Sequence, residues 1–232
     1  MEDIVFLFDV DNTLLDNDRV QSDLDAQLAE TCGEATRKRY WAIYDELFAS
    51  LGYTDYFGAF QRCRIESPFD LSLLKAAGWL IDYPFDERLY PGALDAVSHV
   101  RRWGPVALLS DGDAVYQPRK VQRSGLWRAV GGEVLIFVHK ETELGEVERL
   151  YPARRYVLVD DKLRILSAVK SHWGDRVTTV FPRQGRFAED AHSLAAYPPA
   201  DVAIAKIGDL GALDRETLES SGSRGSNKGE RR

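Results

Sequence analysis

Ile4-Val5-Phe6-Leu7-Phe8-Asp9-Val10-Asp11-Asn12-Thr13-Leu14-Leu15-Asp16 decides the reading of this chain. Five apolar residues run straight into two carboxylates placed two positions apart, followed by a hydroxyl and more apolar residues. A continuous apolar run of this length is the pattern of a strand buried on both faces, as in parallel sheets. Asp9 and Asp11 then stand at its carboxyl end, where open α/β sheets place their ligand crevice. Residues two apart on an extended segment point to the same side, so both carboxylates can face one small volume. Two like charges held that close are costly unless a cation or a proton intervenes. A site that needs a hard metal and an oxygen nucleophile tolerates that cost.

Further strand-like runs follow at 106–109, 134–138, 156–159 and 177–180, with a weaker one at 201–204. Helical patterns fill the gaps at 92–102, 117–124 and 162–172. Strands alternating with helices predict an α/β fold, a three-layer Rossmann-like parallel sheet built from residues 1–15 and 88–214. Between the two parts, residues 16–87 carry apolar side chains at helical spacing, among them Leu24, Leu28, Tyr40, Ile43, Tyr44 and Leu47. This stretch is expected to form an inserted helical cap, with its many aromatic residues as its own core. Pro91-Gly92 marks the return to the sheet. Residues 215–232 are rich in Ser, Gly, Lys, Arg and Glu, and are expected to be a disordered tail.

Composition narrows the function. A chain of 232 residues with 44% apolar and 29% charged residues has the make-up of a soluble globular protein. Its 37 acidic residues outnumber 30 basic ones, and no long basic stripe precedes the tail, which argues against a nucleic-acid surface. Cys32 and Cys63 form neither a disulfide framework nor a metal knuckle. No apolar stretch approaches the roughly 18 residues of a spanning helix, and the acidic start lacks the shape of a signal peptide. A cytoplasmic monomer or homodimer without nucleic-acid or membrane partners is expected.

Each strand end carries polar chemistry. Asp9 leaves its strand first and is the natural nucleophile, since carboxylates form aspartyl phosphates. Ser110 closes the run 106–109 and opens Asp111-Gly112-Asp113, whose hydroxyl and backbone N–H groups suit a phosphate. Lys140 follows the run 134–138 and offers a fixed ammonium to the nucleophile and the phosphoryl oxygens. Lys120 is its competitor, but lies in a helical pattern where a lysine is commonly a surface residue. Asp160 and Asp161 end the run 156–159 and, with Asp9, make an oxygen-rich site suited to magnesium.

Taken in order, these four blocks resemble the four signatures of the haloacid dehalogenase superfamily, most of whose members are magnesium-dependent phosphohydrolases. The resemblance implies that Asp11 protonates the leaving oxygen and later deprotonates water, and that its main-chain carbonyl joins Asp9 and an acid of the 160–161 pair on Mg2+. It places Thr13, Ser110 and Asp111 around the substrate. The chain departs from the pattern in three places. Asp111 stands where Asn is usual, Glu141 rather than Pro follows Lys140, and Ile165 and Leu166 stand where a further acid is common. Matching the strand ends puts Asp161 on the metal and Asp160 behind it, but leaves the choice between them open. The implied activity is phosphate-ester hydrolysis on a small phosphorylated molecule. The alternatives are dehalogenation of a small acid, which requires neither metal nor a second acid, and a non-catalytic phosphoacceptor or binding protein.

Overall fold

Side chains of the first strand that pack alternately into two apolar clusters set the layers of the molecule, which the computed structural model describes for residues 1–220. The strands are β1 (Glu2–Phe8), β2 (Val106–Asp111), β3 (Val134–Phe137), β4 (Ala153–Val159), β5 (Val177–Pro182) and β6 (Val202–Ile204). All pair in parallel, in the order β3-β2-β1-β4-β5-β6. Ile4, Phe6 and Phe8 of β1 pack into one apolar cluster, Val5 and Leu7 into the other. β4 divides the same way, Val157 and Val159 against Tyr156 and Leu158. A strand that is apolar at every position needs cover on both faces, and here both faces have it.

The first face is covered by α1 (Asn17–Leu51), α2 (Tyr56–Glu66), α3 (Ser72–Ile81), α4 (Ala93–Val100), α5 (Tyr116–Arg123) and α6 (Leu126–Ala129). The second is covered by α7 (Leu144–Leu150) and α8 (Leu163–Trp173). Two short helices, α9 (Arg186–Glu189) and α10 (Ala191–Ala196), follow β5. This is the three-layer α/β fold expected from the strand-helix alternation. From β1 the chain runs outward through β2 to β3, then crosses back to β4 on the other side. The strand order therefore reverses beside β1, where the carboxyl ends leave a crevice.

Helices α1 to α3 leave and re-enter the sheet domain along two linkers that run side by side. Leu15 bridges Leu89 in antiparallel fashion, and the Tyr90 N–H donates to the Leu14 carbonyl at 2.9 Å. α1 is broken at Gly33, whose φ of 80° no helix contains. The aromatic residues of this segment do build a core, but one continuous with the sheet domain. Tyr44 meets Tyr56 at 5.2 Å with the rings tilted, Tyr56 meets Tyr116 of α5 at 5.3 Å, and Tyr116 meets Phe85 at 5.9 Å.

Two sequence expectations need correction. β4 starts at Ala153 rather than Tyr156, because its first residues pair with Glu2 and Ile4 of β1, while Arg154 and Arg155 interrupt the apolar run that marks the strand in the sequence. The tail expected from residue 215 begins as a helix, α11 (Arg215–Ser220). Its single apolar residue, Leu218, is fully buried, and the Leu218 carbonyl accepts from Thr178 Oγ1 at 2.5 Å. Residues 221–232 of that tail lie outside the described residues. No helix among the described residues is long and apolar enough to cross a membrane.

Candidate active site

Asp9 follows β1 with its backbone still in the ladder, its N–H donating to the Val159 carbonyl at 2.9 Å. That bond fixes where the buried carboxylate points. Lys140, in the turn after β3, reaches it from the neighbouring strands. Its Nζ donates to Asp9 Oδ1 at 2.5 Å and to the Leu109 carbonyl at 3.2 Å, and lies 2.6 Å from Asp160 Oδ2. Its own N–H donates to Asp111 Oδ1 at 2.7 Å. Burial alone would lower the Lys140 pKa, but Asp160, Asp9 and Asp111 together hold it above the usual lysine value.

The two acids after β4 have different surroundings. Asp160 is committed to the protein, its Oδ1 accepting from the Lys162 N–H at 2.8 Å and its Oδ2 facing Lys140. Burial raises its pKa to about 6 despite the nearby ammonium. Asp161 donates its N–H to Thr13 Oγ1 at 3.0 Å, yet neither of its buried carboxylate oxygens has a hydrogen-bond partner among the described residues. Burial holds its carboxyl well above the usual carboxylate range. Asp9 Oδ2 is also unpartnered. Asp9, Asp160 and Asp161 each offer an oxygen within 4.8 Å of the others. Buried carboxylate oxygens without donors are expensive, and a hard cation satisfies all three at once. The residues present fit magnesium.

Lys140 offsets this charge in the absence of a cation. Lys140→Met should therefore leave Asp9 and Asp160 buried and unpaired, at a cost of about 3–5 kcal/mol, the scale for breaking one side of a buried pair. Denaturant unfolding in EDTA checks this; unchanged stability would mean that the lysine is not holding the carboxylates together.

Asp11 stands apart from that carboxylate cluster. Lys120 Nζ donates to both of its carboxylate oxygens at 2.8 Å, and to Asn17 Oδ1 at 3.1 Å. Gln117 Nε2 donates to Ser110 Oγ at 3.0 Å and approaches Asp11 Oδ2 at 3.4 Å. The sequence choice of Lys140 over Lys120 for the nucleophile agrees with these contacts. The expectation that Lys120 is a surface residue does not, since it is fully buried. The buried stripe of α5 is Tyr116, Gln117, Lys120 and Val121, so the helix turns two polar side chains toward the site.

Thr13, expected beside the substrate, is fully buried, and its hydroxyl accepts from the Asp161 N–H and so helps to position that acid. Ser110 and Asp111 do line a cavity of about 130 Å³, together with Asp9 and Asp11. The volume suits a phosphoryl group and a small remainder, well below the roughly 300–1,000 Å³ of drug-sized pockets. Asn12, Asn17, Phe48, Gly52, Tyr53, Thr54, Lys162, Arg164, Arg186 and Phe187 complete the wall, and the sequence reading gave none of them a role at the site. Asn12 has a φ of 60°, a left-handed conformation that Asn tolerates. Its Oδ1 accepts from the N–H groups of Asn17 and Asp18 and so anchors the start of α1. Gly185 allows the loop after β5 to close over it, because a Cβ there would lie 2.8 Å from Asn12 Cβ.

Comparison with solved structures places this arrangement among known proteins. A haloacid dehalogenase-like hydrolase of Burkholderia xenovorans LB400 is 56% identical, with a TM-score of 0.89, over 92% of this chain and 100% of that one. The HAD hydrolase YfnB of Bacillus subtilis, in a form bound to magnesium, shares the fold at 17% identity and a TM-score of 0.60, over 90% and 97% of the two chains. An L-2-haloacid dehalogenase of Xanthobacter autotrophicus shares it at 18% identity and a TM-score of 0.59, over 92% and 98%. No family model and no curated protein matches the chain.

Proposed function

The chain belongs to the haloacid dehalogenase-like hydrolases, and on that premise we propose that it is a magnesium-dependent phosphohydrolase of a small phosphorylated metabolite, acting through a phosphorylated Asp9. One observation carries the reading: Asp161 and Asp9 bury three carboxylate oxygens without hydrogen-bond donors among the described residues, and a second acid, Asp11, lines the same cavity as Asp9. Carbon–halogen hydrolysis requires neither feature.

Asp9 attacks the phosphorus of the ester. As the bond from phosphorus to the leaving oxygen breaks, Asp11 gives that oxygen a proton. Asp11 then takes a proton from water, whose oxygen attacks the same phosphorus and releases phosphate and Asp9. Lys140 holds the Asp9 carboxylate in place throughout. Ser110, and the half-buried Lys162 at the cavity wall, offer donors to the transferred oxygens. Magnesium held by Asp9, Asp161 and the Asp11 main-chain carbonyl would neutralise charge on the phosphoryl oxygens. Asp160, tied to Lys140, stands behind Asp161. Water exclusion falls to Phe48, Tyr53 and Phe187 of the cavity wall.

Asp161→Asn should weaken magnesium binding far more than Asp160→Asn; calorimetric titration of both reads the difference, and the reverse order would exchange the two assignments. The raised carboxyl pKa values carry a pH dependence. The folded state holds the Asp160 proton up to about 6, whereas an ordinary carboxylate gives it up near 3.8. In metal-free protein that contribution to stability is present at low pH and is lost as the pH rises from about 4 through about 6. Magnesium competes with those protons, so it should raise the melting temperature more at about pH 7.5 than at about pH 5. An equal rise at both would remove the acids from the metal site.

A second reading has support in the fold likeness to L-2-haloacid dehalogenases. It would use Asp9 against carbon and need no cation. A panel of small phosphate esters, assayed with magnesium and with EDTA, tests the proposal. Phosphate release that stops in EDTA is the expected result, and release from no ester would sink it.

A further inference from the structure

Lys120 has a place in the structure that the reaction outlined above leaves unused. It is fully buried, outside the cavity wall, and its ammonium has two equal 2.8 Å contacts with the Asp11 carboxylate. A lysine holds side-chain entropy and hydration that burial forfeits, so a wholly buried one needs fixed partners. They are present on every side. Tyr116 stands 5.1 Å and Tyr56 6.0 Å from Nζ, ring faces toward the charge. Asn17 Oδ1 accepts the third bond, and Asn17 Nδ2 in turn donates to the Tyr56 hydroxyl at 3.2 Å. Gln21 Nε2 also donates to that hydroxyl, at 2.9 Å. The ammonium is thus braced between α5 of the sheet domain and α1 and α2 of the helical segment.

Resting on the phosphohydrolase reading, we infer that Lys120, braced by Asn17, is a positioning residue that aims the Asp11 carboxyl group, which carries the proton in the first step, at the leaving oxygen. Asp11 has no other close charged partner among the described residues, and only a long contact from Gln117. Without Lys120 its carboxylate is free to rotate toward water in the cavity. The bracing residues belong to the inserted helices, so the aim of the acid depends on how those helices sit on the sheet domain.

A positioning role leaves a signature that loss of fold does not. Ester bonds to p-nitrophenol break without a proton, because the leaving anion is stable; bonds to an alkyl alcohol need the proton. The test is leaving-group release in a single turnover, with magnesium enzyme in excess, from p-nitrophenyl phosphate and from an alkyl phosphate. Lys120→Met should slow release from the alkyl ester about 10- to 100-fold, the scale of a misplaced catalytic group, and from the nitrophenyl ester less than about threefold. Asn17→Ala should give a weaker loss with the same leaving-group dependence, and Lys120→Arg should restore part of the alkyl rate. Equal slowing of both esters by Lys120→Met and by Asn17→Ala, or no slowing, would overturn the inference while wild-type turnover upholds the phosphohydrolase reading. A wild type inert toward both esters would overturn the two together.

Discussion

Asp9→Asn should abolish turnover with the fold intact. The amide matches the carboxylate in size, but its nitrogen and neutral oxygen cannot form the acyl phosphate. Deleting the nucleophile of a hydrolase costs on the order of 10⁶-fold in kcat, and a loss of that order is expected here. The fold should survive because Lys140 keeps its 2.6 Å contact with Asp160 and its bond to the Leu109 carbonyl. Circular dichroism and melting temperature near those of the wild type would show that chemistry rather than folding was lost. A beryllofluoride–magnesium mixture, which mimics a phosphorylated carboxylate, should stabilise the wild type and leave Asp9→Asn unmoved. A variant retaining a tenth of wild-type activity would mean that another group attacks the substrate.

Asp11→Asn should be the next most damaging change. General acid–base catalysis contributes roughly 10²–10⁴-fold, and an amide supplies neither the proton for the leaving oxygen nor the base for water. The two half-reactions should be hit differently. With p-nitrophenyl phosphate the first step needs no acid, so the second becomes limiting and phosphorylated Asp9 should accumulate, visible by intact mass. With alkyl esters the first step is the slow one and little phosphoenzyme should build up. Lys120 would lose its carboxylate but keep Asn17 Oδ1 as an acceptor, so a modest drop in stability is expected beside the large kinetic loss. Accumulation with neither ester, at unchanged rate, would remove Asp11 from the chemistry.

Much of this architecture could be read from the chain because strands buried on both faces advertise themselves. β1, β2, β4 and β5 are apolar runs that end at or next to Asp9, Ser110, Asp160 and Phe181, and the crevice lies where three of those ends converge. What the sequence hid was orientation. Asp160 and Asp161 are neighbours after one strand, and only the contacts with Lys140 and Thr13 decide which carboxylate is committed and which is free. Lys120 was hidden by composition: a lysine in a polar helix reads as solvated. Its signal was spacing, since Lys120 lies four residues after Tyr116 and one before Val121, on the stripe the helix buries. Leu218 failed for the opposite reason. One apolar residue in a polar segment gives no periodicity, although it is enough to seat α11 against β5. The cavity wall from Lys162 to Phe187 comes from the first turns of α8 and α9 and the residue before α8, whose placement follows the sheet rather than any local pattern.

The central claim is that this site spends its two acids and its cation on phosphorus rather than on carbon. Its most direct test runs the purified wild type on p-nitrophenyl phosphate and on 2-chloropropionate, each with magnesium and with EDTA. Phosphate release that EDTA stops is expected, with no chloride release under either condition. Chloride release that persists in EDTA, with no phosphate released in magnesium, would contradict it.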